Sequence, residues 1–65
     1  KDIVLENYNF LKELNIISVD EIFQRYITIF LDENFKNKVN KLISNLGEDY
    51  IEKIEENISI FDSLL

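Results

Sequence analysis

The sequence predicts an all-α fold: a small four-helix domain built from two helix-turn-helix units that resemble repeats. The 65 residues include no proline and one glycine, so few residues interrupt a helix. Apolar residues recur at steps of three and four along most of the chain, which gives each helix one apolar face. No segment alternates apolar and polar residues for long, and no Asn-Gly or Asp-Gly pair marks a hairpin.

The first helix is predicted from about Asp2 to Leu14. Asp2 suits the N-cap because a carboxylate there can accept a hydrogen bond from a free N–H of the first turn. Asn15 can end the helix, since asparagine tolerates the left-handed conformation. The apolar face of this helix comprises Ile3, Val4, Tyr8, Leu11 and Leu14, with Phe10 widening it.

The second helix is predicted to begin at Ser18. Ser18 and Glu21 have the spacing of a capping box, in which each side chain bonds the backbone N–H of the other residue. Ile17 and Ile22 have the spacing of a hydrophobic staple across the same helix start. The segment 27–31 is apolar on nearly all sides, so we expect burial on several sides or a bend there.

The third helix is predicted after Asp32, and Gly47 is suited to end it. Its apolar residues fall within an arc of about 100°: Phe35, Val39, Leu42, Ile43 and Leu46. The fourth helix follows at once, with a face formed by Tyr50, Ile51, Ile54, Ile58, Phe61 and Leu65. Ile60 and Leu64 lie off this face, which predicts a bend or restart at 57–59, with Ser59 capping a short final turn.

Two stretches of the chain are nearly the same. Residues 27–30 read Ile-Thr-Ile-Phe and residues 58–61 read Ile-Ser-Ile-Phe. An offset of about 32 residues places Asn15 on Gly47, and an offset of about 31 aligns the second helices. Periods of 20–50 residues are typical of helical solenoids. The alternative is a chance self-match, because any helical chain rich in Ile and Leu resembles itself.

The stretch 39–61 reads as a helix ending in Leu-Gly, a second helix with an acidic start, and a short Ile-Ser-Ile-Phe segment. It resembles a repeat of the mitochondrial transcription termination factor (mTERF) family. The matching positions are Val39, Leu42, Leu46, Gly47, Ile54, Asn57, Ile60 and Phe61. The first unit matches more loosely, at Phe10, Leu11, Leu14, Asn15, Phe23, Ile29 and Phe30. The resemblance implies an array of helical repeats, each with a short third helix, that binds nucleic acid through basic residues. The chain departs from the family at Ile27 and Ile58, where proline is expected, and in its acidic charge.

The composition argues against an enzyme and against bound cofactors or metals. The absence of histidine and cysteine removes the usual zinc ligands, disulfides and nucleophile–base pairs. The acidic pairs at 20–21, 32–33, 48–49 and 55–56 lie at helix starts or on polar faces, where capping or solvation is expected. A lone glycine cannot form a phosphate-binding loop. We therefore expect no catalytic, cofactor-binding or metal site.

Several apolar residues exceed what a small four-helix core requires, and we expect them to contact a partner. The predicted partner-binding residues are Ile27, Ile60, Leu64 and Leu65; Ile16 is also in excess. The predicted function is a non-enzymatic protein–protein interaction or scaffolding module. Its partner would be another protein, an adjacent repeat or a second copy. Both chain ends look like cuts, so we expect a single domain over 1–65 from a longer protein.

The alternative function is a nucleic-acid-binding helical repeat of the mTERF type. It would use the basic cluster of Lys36, Lys38 and Lys41, together with Arg25. The net charge of −6 opposes it, because an acidic surface repels phosphate backbones and anionic lipids. No apolar run is long enough for a membrane span and no signal peptide is evident. The compartment is not determined by the sequence, and the cytoplasm is the default expectation.

Overall fold

A computed structural model describes residues 2–65, which form four α-helices and two 3₁₀ helices and contain no strand. The all-α prediction is confirmed for these residues. The second and fourth predicted helices each divide into an α-helix followed by a 3₁₀ helix. The α-helices are α1 (Ile3–Glu13), α2 (Val19–Arg25), α3 (Phe35–Leu46) and α4 (Tyr50–Glu56), and the 3₁₀ helices are η1 (Ile27–Leu31) and η2 (Ile58–Leu64).

Three of the predicted helix ends are confirmed. The Asp2 carboxylate accepts a hydrogen bond from the Leu5 N–H at 3.2 Å, as an N-cap does. Asn15 has a φ of 69°, and it is the one non-glycine residue among those described with a positive φ. Gly47 ends α3 with φ 87° and ψ −160°, a backbone conformation that is essentially restricted to glycine.

The start of α2 differs from the prediction. Ser18 makes no capping hydrogen bond with its side chain, so the predicted capping box is wrong. The Glu55 carboxylate of α4 takes the role predicted for the Glu21 side chain, accepting from the Ser18 N–H at 3.1 Å, and it also accepts from the Ile17 N–H at 2.8 Å. The predicted staple is wrong too, because Ile17 is 87% exposed while the neighbouring Ile16 is buried. A distant carboxylate therefore replaces the local cap.

The breaks before the two 3₁₀ helices come from single backbone positions. Tyr26 leaves the helical region with φ −125° and ψ 41°, and Asn57 is extended with φ −153° and ψ 92°. The Asn57 side-chain oxygen accepts from the Ser59 N–H at 3.1 Å. The predicted break at 57–59 and the predicted bend near 27–31 are confirmed, but Asn57 rather than Ser59 is the cap.

The core is centred on Phe30, whose ring centroid lies 5.1 Å from that of Phe23 and 4.8 Å from that of Phe35. Next to it lies Asn7, a buried amide that donates to the carbonyls of Phe30 at 2.8 Å and Asp32 at 3.3 Å. Because a buried amide is costly unless it is hydrogen-bonded, these contacts fix α1 against η1. The buried apolar residues are Leu11, Ile16, Val19, Ile22, Tyr26, Ile29, Phe30, Phe35, Val39, Ile54, Ile58, Phe61 and Leu64.

Candidate interaction surface

The predicted partner-binding residues differ in exposure. Ile27 is 51% exposed and Leu65 is 72% exposed, so both reach the surface as the prediction requires. Ile60 is half-buried. Leu64 is buried within the chain's own core, which corrects its expected place at the surface. Ile16, also expected to be in excess, is buried as well.

The helix type explains the burial of Leu64. Residues 58–64 form a 3₁₀ helix, in which side chains three positions apart lie on the same side. Ile58, Phe61 and Leu64 therefore share one face, and all three are buried. An α-helix, which the sequence predicts here, would place Leu65 with Phe61; in the 3₁₀ helix Leu65 is exposed instead.

A shallow apolar cleft opens between α1 and α2. It has a volume of about 290 Å³ and is lined by Asp2, Val4, Leu5, Tyr8 and Phe23. Tyr8 and Phe23 meet edge to face, with ring centroids 5.8 Å apart. The Tyr8 hydroxyl donates a hydrogen bond to the Asp20 carboxylate, which raises the pKa of Tyr8. The cleft is therefore apolar inside, with carboxylates at and near its edge.

The C-terminal end of α2 meets η2 through three contacts. The Tyr26 hydroxyl donates to the Asp62 carboxylate at 2.6 Å, and this hydrogen bond raises the pKa of Tyr26. The Tyr26 ring lies 6.3 Å from that of Phe61. Arg25 donates to the Ser59 hydroxyl at 3.3 Å, and its guanidinium lies over the Tyr26 ring. With the Glu55 cap, these contacts join the two halves of the chain.

The structure separates the basic residues of the alternative prediction. Lys38 and Lys41 line a second groove of about 300 Å³ with Leu42, Asn45, Ser63 and Leu64, whereas Lys36 and Arg25 do not line it. Lys38 bonds the Asp32 carboxylate, and Lys36 lies 3.9 Å from a Glu6 carboxylate oxygen. Two of the three lysines thus have a carboxylate within 4 Å.

Several of the described carboxylates accept hydrogen bonds within the fold, among them Asp2, Asp32 and Asp62. The Lys38 ammonium and the Asn34 N–H hold the pKa of Asp32 below its usual range. Within residues 2–65, no three or more Asp and Glu side chains converge in a way that could hold a metal ion. Over the same residues, no helix has the length and apolar character needed to cross a membrane.

Sequence reasoning missed two residues that matter for this surface. Glu55 was assigned to a solvated face, but it lies 37 positions after Ser18 in the chain and caps α2. Leu5 was not among the candidates, yet it is more than half exposed in the α1–α2 cleft. Leu5 directly follows Val4 and lies on the polar side of α1, and this position is the sequence signal that could identify it.

Comparison of the chain with protein-family models, with curated proteins and with solved structures finds no match.

Proposed function

We propose that this chain is a non-enzymatic helical module that binds another protein through apolar side chains. The observation that carries the proposal is the exposure of Ile27 beside a small core, together with the apolar α1–α2 cleft. Exposed apolar surface on a small domain is typical of a site where a partner binds. Leu65 belongs to the proposed set, whereas Leu64 is already used by the core.

The two halves are proposed to be units of one repeat. The order α-helix, α-helix, 3₁₀ helix occurs twice along the chain. Asn15 and Gly47, which occupy corresponding turns, both have positive φ. Phe30 and Phe61, at the same place in the repeated motif, are both fully buried. The order also fits the short third helix that the mTERF resemblance implies; membership of that family stays a prediction.

Nucleic-acid binding is the less favoured proposal. The bonds of Lys36 and Lys38 to acids reduce the positive charge available for phosphates. The net charge of −6 adds a general repulsion. A phosphate binder would lose affinity steeply with salt, by about one unit of log–log slope per phosphate contact, whereas apolar docking would respond little.

Photo-crosslinking in cells that express the chain naturally tests the proposed function. Benzoylphenylalanine replaces Ile27 in one variant, Asn37 in a control and Lys41 in a third. Asn37 is a matched control because it is exposed on a polar helix face. We expect a protein adduct from position 27 that still forms when an extract of these cells is irradiated at about 1 M salt, and no adduct from position 37. Equal protein capture at both positions, or nucleic-acid capture at position 41, would overturn the proposal.

A further inference from the structure

The contact between the two halves provides a template for the surface that the first half leaves open. In the second half, Glu55 reaches into the first half, and the flanking Ile54 and Ile58 are buried. An offset of 31 gives their counterparts in the first half as Phe23, Gln24 and Ile27. These are apolar, polar and apolar in the same order. Phe23 is half-buried, while Gln24 and Ile27 are exposed.

The opposite surface of the second half has a different character. Tyr26 contacts the second half through its ring and its hydroxyl, and Ile22, one turn earlier, is fully buried. Their counterparts at the same offset are Asn57 and Lys53, both exposed. The surface that would receive a third unit is therefore polar. Terminal units of helical repeat arrays have such a polar outer face, because nothing packs on it.

We infer that the outer face of the first half, formed by Phe23, Gln24 and Ile27, docks a further helical unit of the same architecture. The second half ends the array. The inference rests on the proposed function and specifies which face is used and what occupies it. The incoming unit would contribute a row of Ile and Tyr side chains equivalent to Ile16, Ile22 and Tyr26, and docking would bury this row.

Two polar features specify the orientation of this incoming unit. Gln24 occupies the position of Glu55, so its amide oxygen is placed to accept from the N–H groups that begin the incoming unit's second helix. Asp2 lines the cleft, and Asp20 lies beside it on the Tyr8 hydroxyl. These acids favour a basic side chain on the incoming unit.

Chain extension tests the inference. In one protein, a copy of residues 1–32 precedes the full chain, which reproduces the native offset between units. In the matched protein, a copy of residues 34–65 follows the full chain. We expect the first extension to raise the urea midpoint of the full chain and lower its unfolding equilibrium constant by about tenfold or more, since stacked units stabilise each other. The second extension should leave both values unchanged.

Two substitutions locate the gain. Ile27→Gln should remove the stabilisation seen in the N-terminally extended protein and leave the 65-residue chain unaffected. Ile17→Gln is the control, because Ile17 is also exposed and its counterpart, Glu48, is exposed and polar. Equal stabilisation by both extensions, none from the N-terminal one, or a gain insensitive to Ile27→Gln would overturn the inference. A specific adduct at position 27 alongside any of these results would leave the proposed function standing.

Discussion

Ile27 and Ile58 begin the two 3₁₀ helices, in the motifs Ile-Thr-Ile-Phe and Ile-Ser-Ile-Phe, but their surroundings differ. Ile27 is 51% exposed and Ile58 is 7% exposed. The phenylalanine three positions later is fully buried in both motifs. The two motifs therefore share the helix type and the buried ring, and they differ in whether the isoleucine is covered.

The two aromatic centres differ in the same way. Phe30 has two close ring neighbours, Phe23 and Phe35, whereas Phe61 has one, Tyr26, at a longer distance. The backbone carbonyl of Phe30 also accepts a hydrogen bond from the Asn7 amide. The Phe30 ring thus has more aromatic contacts than the Phe61 ring, although Ile27 is exposed.

The largest effect is expected from truncating the two phenylalanines. Phe30→Ala and Phe61→Ala should each lower the free energy of unfolding by about 3–5 kcal/mol, because each leaves a cavity in the core. Phe30→Ala should cost more, since it loses two ring contacts. Urea unfolding monitored by circular dichroism measures both. Phe30→Leu and Phe61→Leu serve if the alanine variants do not fold. A larger loss at position 61 would contradict the comparison.

The two turns should respond differently to alanine. Gly47→Ala should cost about 1–3 kcal/mol of unfolding free energy through backbone strain alone. An added Cβ there meets no atom within 4 Å. Asn15→Ala should cost about 1 kcal/mol or less, because asparagine already bears part of the left-handed penalty. The same unfolding assay compares them, and an Asn15→Ala loss that equals or exceeds the Gly47→Ala loss would show that the turns are not distinguished by conformation.

Removing the long-range cap should have a moderate effect. Glu55→Ala should lower the free energy of unfolding by about 1 kcal/mol, since two N–H groups lose their acceptor. Glu56→Ala is the matched control, because Glu56 is exposed, and surface changes stay within about 0.5 kcal/mol. Ser18→Ala should also have little effect. Equal losses of unfolding free energy in Ser18→Ala and Glu55→Ala would contradict this assignment and support the local capping box.

The smallest effect concerns alkaline pH. The hydrogen bond to Asp62 raises the pKa of Tyr26 above its ordinary value of 10.0. The folded state therefore holds this proton more tightly than the unfolded state, and the stabilisation is present below pH 10 and is lost as the pH rises through the folded-state pKa. Tyr26→Phe should reduce the pH dependence of the urea midpoint across that window. Tyr8→Phe should act in the same direction, because Asp20 raises the pKa of Tyr8. An unchanged pH profile in Tyr26→Phe would contradict this assignment.

The features that the sequence predicts correctly are those that depend on residues close together in the chain. The helical class follows from apolar spacing, and Asp2, Asn15 and Gly47 end their helices as expected because each acts on its own backbone or on the next turn. The break at 57–59 is visible because Ile60 falls off the α-helical face. These features require no knowledge of tertiary contacts.

The features that the sequence does not predict depend on distant segments or on helix type. The Glu55 carboxylate displaces the Ser18 cap only because α4 lies against the start of α2. Leu64 is buried because η2 has three residues per turn, which changes the face that meets the core. The exposed surface around Ile27 can be recognised only when the exposed fractions of Ile27 and Ile58 in the structure are compared.

The central claim is that one isoleucine of the repeated motif is structural and the other is available for docking. The most direct measurement is the free energy of unfolding of Ile27→Ala and Ile58→Ala in the 65-residue chain. Ile58→Ala should cost about 2–5 kcal/mol, as buried isoleucines do. Ile27→Ala should change the stability by less than about 0.5 kcal/mol. Equal losses at the two positions would mean that Ile27 already belongs to the core, which would contradict the account.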